Sequence, residues 1–236
     1  MSSLFSDTDL ECLSRLLNAR QAGFPLTQAW LTGQGVDVDL LSRLCQAGFL
    51  HPLDAQTYRV AGDQLLGDGL LSVATKGRAD VHLAGHTALA YHRIQHNLAA
   101  RSVIRLMGNG DYSPPAWAGD CHYRDASGLF DFRTEEGERL DLDTRPPLGG
   151  PFGIRCASRE RALLELLYDE EVFQDRDETQ QLILGITNCR AQWMGPLLAR
   201  CQEPRVIERF YASFVHQPYV GFETKSLFKD YHIRIP

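Results

Sequence analysis

The chain has 236 residues, 44% of them hydrophobic, and a formal net charge of -6. This apolar content supports a packed core in one large or two modest domains and excludes wholesale disorder. The acidic balance argues mildly against a nucleic-acid partner, and no run of about 20 apolar residues is present to span a bilayer.

The opening MSSLFSDTDLE lacks the basic segment and apolar run of a secretory leader. Leu10, Leu13, Leu16 and Leu17 recur at helical spacing, which predicts an amphipathic helix capped by Ser6 or Asp7 and ended by Gly23. Pro25 suits the first turn of a short second helix through Trp30 and Leu31, with Gly33 and Gly35 in the turn that follows. Asp37 is placed to cap a third helix with Leu40, Leu41 and Leu44 on its inner face, closed by Gly48. HPLDAQTYRVAG then reads as two extended pieces, TYRV being the returning strand. Helix, short helix, glycine turn, helix and ribbon add up to a winged helix-turn-helix domain over residues 1–64. The glycine- and aspartate-rich AGDQLLGDG marks the boundary with a second domain over 65–236.

The second domain reads as mixed α/β, so the fold class of the whole is α+β. VHLAGHTALAYHRIQ predicts a strand, a glycine turn and a helix; SVIRLM and FGIRCA predict strands. LFDFRT and RLDLDT alternate apolar and polar residues around EEGE and predict a hairpin. Ser158 is placed to cap RERALLELLYDEE, and helical patterns follow in ETQQLILGITNC, PLLARC and PRVIERFYASFV. Pro196 and Pro204 suit first helical turns, and the ending DYHIRIP has a strand-like period.

Chemistry-bearing residues are sparse. Residues 1–62 hold Arg15, Arg20, Arg43 and Arg59 against Asp7, Asp9, Glu11, Asp37, Asp39 and Asp54. On the third helix Arg43 and Gln46 are the usable donors to DNA, and His51, Gln56 and Arg59 are those of the wing. The competing reading is a winged helix used for protein contact. The final stretch is mildly basic, and its end is the better phosphate candidate of the second domain.

His82, His86, His92 and His96 invite a metal reading, with His92 and His96 on one helical face. The glutamate of an HExxH site is absent and no cysteine lies near, so no metal and no cofactor is expected. Glu223 and Lys225 mimic half of a metal-dependent nuclease site, for which Asp141 and Asp143 are distant partners; a solvated tail is the simpler reading. The acidic run from Asp169 to Glu171 reads as an exposed helix end. The six cysteines are scattered and form no CxxC pair, as expected of reduced thiols in a cytoplasmic protein.

Taken in order, PLTQAWLTGQGV, QAGFLHPL with TYRVAGD, VHLAGHTALAYHRIQHNL, SPPAWA, ASRERALLELL, GPLLARCQEPRVIERFYASF and DYHIRIP resemble the AbiEi-type antitoxins, the regulator half of type IV abortive-infection toxin–antitoxin pairs. Each motif is weak alone; their collinearity over nearly the whole chain is the specific part. The resemblance implies a cytoplasmic antitoxin and transcriptional autoregulator with no enzymatic activity. Its winged helix would bind operator DNA. Its second domain would counter a nucleotidyltransferase-like toxin, directly or indirectly, through the basic residues Arg200, Arg205, Arg209, Lys225 and Lys229. A homodimer would set two third helices about one DNA turn apart. Family members tend to be basic through the third helix and wing, whereas here only Arg43 and Arg59 are cationic.

Overall fold

A computed structural model describes residues 5–78, 80–94, 103–132, 155–173, 176–217 and 220–235. The chain is mixed α/β, with ten α-helices and two small sheets among the described residues. It divides into two compact units, Met1–Lys76 with Pro115–Gly119, and Gly77–Pro114 with Asp120–Pro236.

The first unit opens with α1 (Asp7–Ala19). Ser6 caps it: the hydroxyl accepts from the Asp9 amide, and the Asp9 carboxylate accepts from the Ser6 amide at 2.9 Å. The helix stops at Ala19 rather than at Gly23, because Arg20 turns extended and its side chain ion-pairs with Asp63. Pro25 does not begin a helix. It precedes a short strand, β1 (Leu26–Thr27), and the Thr27 hydroxyl caps α2 (Gln28–Gly33). Gly35, at φ 90°, turns the chain into α3 (Val38–Gln46), where the Asp37 carboxylate accepts from the Leu40 amide at 2.7 Å.

β2 (Leu50–Pro52) and β3 (Thr57–Val60) then pair antiparallel, with Leu50 opposite Val60 and His51 opposite Arg59; β1 joins the other edge of β3. Leu16, Leu31, Leu40, Leu44, Leu50 and Tyr58 meet in one core. The stretch read as a linker instead carries α4 (Gly67–Ala74). Gly69 lets this helix press on the Gly23–Phe24 turn, where a Cβ would lie 2.8 Å from the Gly23 carbonyl oxygen.

In the second unit β4 (His82–Leu83), β5 (Ile104–Gly108), β6 (Cys121–Asp125) and β7 (Arg155–Cys156) form a mixed sheet in the order β6-β5-β4-β7. β4 runs antiparallel to β5 and parallel to β7. Helices α5 (Gly85–Tyr91), α6 (Arg159–Phe173), α7 (Arg176–Gly185), α8 (Ala191–Arg200), α9 (Pro204–Phe214) and α10 (Thr224–Asp230) complete it. Among its described side chains α6 presents no exposed stripe: Ala162, Leu163, Leu164, Leu166 and Leu167 are all buried, as required of a central helix packed on several sides.

Several expectations need correction. α8 starts at Ala191, so Pro196 lies inside it, where the missing N–H removes one helical hydrogen bond; Pro204 does open α9. Among the described residues DYHIRIP forms no strand: it is the end of α10, a turn and a coil, because Thr224, Leu227 and Phe228 are buried at helical spacing. α5 ends at Tyr91, with His92 as its cap and Arg93 at φ 62°. The proposed hairpin lies outside the described residues from 133 onward, as do Asp141, Asp143 and His96. Among the described residues no helix is long and apolar enough to cross a membrane.

Candidate functional site

α3 buries Leu40, Leu41 and Leu44, which turns Val38, Asp39, Ser42 and Gln46 outward. Val38 is 71% exposed. Gln46 makes one long hydrogen bond, to the Ser42 hydroxyl at 3.4 Å. Arg43 is different. It lies half-buried, one terminal nitrogen donating to both oxygens of Asp9 at 2.9 Å, and its Nε is buried without a partner. The hydrogen bond from the Ser6 amide, and then Arg43 itself, hold the Asp9 carboxyl below its ordinary pKa. The one cation of this helix is therefore directed at its own chain.

The hairpin offers the remaining donors. His51 and Arg59 face each other across the strands and are exposed, as is Gln56 in the turn, whose carbonyl accepts from the Gln28 amide. Asp54 shapes that turn by accepting from the Gln56 amide at 2.8 Å, and it also accepts from the indole N–H of Trp117. Burial alone would raise the Asp54 pKa; the Trp117 indole and the nearby amides more than offset this and lower it. The SPPAWA stretch thus braces the tip of the hairpin. Sequence reasoning missed this contact because the two residues are 63 positions apart.

The basic residues of the second unit sit on its outer helices. Arg205 and Arg209 are exposed one turn apart on α9, and Lys225 and Lys229 likewise on α10. Arg200 is half-buried and donates to the Pro196 carbonyl at 3.2 Å. α9 and α10 are held together by Phe210 and Tyr211 against Phe228 and by the Thr224 hydroxyl donating to the Phe214 carbonyl.

The polar residues of ASRERALLELL point inward instead. Glu165, fully buried, accepts from His82 Nε2 and Arg161 Nε at 2.7 Å each and from the Gly85 amide at 3.3 Å. The other ring nitrogen of His82, Nδ1, lies 2.9 Å from the Asp80 carbonyl oxygen, so both ends of the imidazole are engaged. Burial opposes the charge on Glu165, but His82 and Arg161 outweigh it and lower its pKa. Asp169 is 2% exposed, not an exposed helix end; it takes Arg124 at 3.1 Å and Arg105 at 4.0 Å, while burial raises its pKa. Glu160 binds Arg190 through two side-chain nitrogens and the backbone. Every described carboxylate inside α6 is thus matched to a cation, which is how a buried helix tolerates charge.

The other candidates dissolve in the same way. His92 binds the Ala157 carbonyl, and among the described residues no group of three His, Cys, Asp or Glu could hold a metal ion. Glu223 lies before α10 and accepts from the Ser226 hydroxyl at 2.6 Å. Burial pushes the Cys156 and Cys189 thiols up to about 12, which makes them poor nucleophiles.

These features describe a two-unit α/β protein with a small helical unit carrying a hairpin and a larger unit built around an internally neutralised helix. Residues 10–100 match the family model described as "Transcriptional regulator, AbiEi antitoxin N-terminal domain", and residues 101–217 match "Transcriptional regulator, AbiEi antitoxin, Type IV TA system". The chain belongs to the AbiEi antitoxin family, transcriptional regulators of type IV toxin–antitoxin systems. None of the curated protein sequences matches it significantly. Its fold is similar to the crystal structure of the RV2827C protein from Mycobacterium tuberculosis, with a TM-score of 0.60 over 95% of this chain and 83% of that one, at 15% identity.

Proposed function

We propose that the first unit is a winged helix-turn-helix that binds operator DNA and represses the chain's own operon. The observation that carries this reading is the order of elements, three helices and a hairpin, together with an outward row of side chains on α3. Gln46 and the exposed side chains of α3 meet base edges; His51, Gln56 and Arg59 of the hairpin contact phosphates; Arg43 contributes chiefly by holding α3 to α1. Two copies related by a dyad present two such helices to one face of the duplex. The larger unit carries the antitoxin activity, through Arg200, Arg205, Arg209, Lys225 and Lys229 on its outer helices, against a nucleotidyltransferase-like toxin. The chain acts in the cytoplasm as a regulator rather than a catalyst.

A reporter driven by the chain's own upstream region tests the DNA half. Repression by the full chain, relieved by Arg59→Ala with unchanged protein level, supports the reading; repression indifferent to Arg59→Ala and His51→Ala contradicts it. Co-expression with the toxin tests the other half: reversing Arg205 and Arg209 to glutamate abolishes rescue if the basic helices act.

A second reading has a specific observation behind it. Asp39 is exposed on α3 while Arg43 is neutralised by Asp9, so the outer face of α3 carries net negative charge. That face suits a basic protein partner. The same reporter distinguishes the two, since a protein-docking face leaves the promoter unrepressed.

A further inference from the structure

The exposed row of α3 has a definite chemistry. It consists of an aliphatic side chain (Val38, 71% exposed), an acceptor (Asp39) and two weak neutral donors (Ser42 and Gln46). Asp37, the other carboxylate at this end, is consumed by capping the Leu40 amide. The guanidinium that would read guanine most strongly is withdrawn: Arg43 donates to both Asp9 oxygens. Asp9 is itself held in place by the Ser6 amide, so the tether belongs to the α1 cap and not to a mobile side chain.

In the major groove, guanine presents two acceptors, thymine a methyl group, and adenine and cytosine an amino donor. A row without a free guanidinium or ammonium has no bidentate partner for guanine. It does have an apolar surface for the thymine methyl, at the N-terminal end of the helix where base edges are reached. It also has a carboxylate for an amino group. We infer that α3 selects DNA by the thymine methyl, through Val38, and by a base amino group, through Asp39, and that Asp9 is the residue that keeps Arg43 from imposing a guanine. This rests on the operator-binding reading above and gives it a base preference.

Selection of the full chain on a random-sequence duplex pool, followed by measured affinities for the enriched duplex, tests it. Replacing the enriched thymines by uracil removes only the methyl. The wild-type chain then loses about fourfold in affinity per contacted thymine, the value of burying one methyl group. Val38→Ala binds the thymine duplex more weakly and no longer distinguishes thymine from uracil. Asp9→Asn keeps an acceptor for the Ser6 amide but drops the ion pair, and its enriched sequences gain a guanine that Asp9→Asn combined with Arg43→Ala loses again. Enrichment by the wild-type chain that ignores uracil, or that holds a guanine lost on Arg43→Ala, overturns the inference and leaves operator binding intact. No enrichment of any sequence by the wild-type chain overturns both.

Discussion

His82 and Glu165 stand 83 positions apart in the chain and 2.7 Å apart in the core, each at most 1% exposed. Around this contact β4, the start of α5 and the middle of α6 are fastened at one point. Gly85, at φ 47°, allows the chain to turn from β4 into α5 so that its amide also reaches Glu165.

Glu165→Ala is therefore expected to be severe. It removes the shared acceptor of His82, Arg161 and the Gly85 amide in the interior, a loss of about 3–5 kcal/mol for a buried pair broken on one side. Glu165→Gln, which keeps one acceptor, costs less. Denaturant unfolding monitored by circular dichroism measures both; an alanine variant as stable as the parent removes Glu165 from the account.

The last two sequence motifs of the second unit meet at Gly195 and Tyr231. A Cβ on Gly195 would lie 2.3 Å from the tyrosine ring. Gly195→Ala should destabilise the fold by about 1–3 kcal/mol through overpacking. Combining it with Tyr231→Ala should cost less than the sum of the two single changes. Thermal unfolding of the four proteins gives the coupling, and strict additivity would mean the ring does not rest on that glycine.

Much of the first unit was legible because its signals are local. Asp37 caps α3 within three residues of its acceptor amide, and Leu40, Leu41 and Leu44 declare the buried face. β1 was missed since two residues, Leu26 and Thr27, are too few for a period, and Pro25 mimics a helix start. α4 was missed because glycines that suit a loop also suit close packing, as Gly69 does against Gly23. The partners of candidate residues were not legible at all. Nothing local shows that Arg43 belongs to Asp9, that Trp117 belongs to Asp54, or that Glu160 and Glu165 meet Arg190 and His82 rather than a ligand; only Arg161 and Glu165, one helical turn apart, form a local pair. The acidic run beginning at Asp169 looks solvated because charge usually is, and only the placement of Arg105 and Arg124 on β5 and β6 reverses that.

Acid stability should depend on Asp80. Arg78 grips its carboxylate with two nitrogens at 3.1 Å, and the Asn109 amide adds a hydrogen bond at 2.8 Å. The Arg78 contact, working against burial, holds its pKa down to about 2, against an ordinary 3.8. A carboxyl depressed in the folded state contributes stability that is complete above its unfolded pKa and fades as the pH falls through about 4 toward 2. With Asp80 partly exposed, the contribution is on the order of 1 kcal/mol. Asp80→Asn should flatten that part of the stability–pH curve, measured by urea unfolding between pH 6 and the acid limit; an unchanged slope contradicts the assignment.

Trp117→Phe keeps the ring and removes the indole donor to Asp54. A charge-assisted hydrogen bond of this kind is worth about 1.5–3 kcal/mol, so amide exchange in the β2–β3 turn should accelerate roughly tenfold or more. Exchange confined to its parental rate would show that the turn is set by its own Asp54–Gln56 hydrogen bond alone.

The central claim is that the first unit grips a polyanion. It is tested most directly by fluorescence anisotropy of a duplex from the chain's own upstream region, titrated with the full chain at several salt concentrations. Binding should weaken linearly in log–log form, and Arg59→Ala should reduce the magnitude of the slope by about 1 per subunit. A response that is flat with salt, or no binding even at low salt, would contradict it.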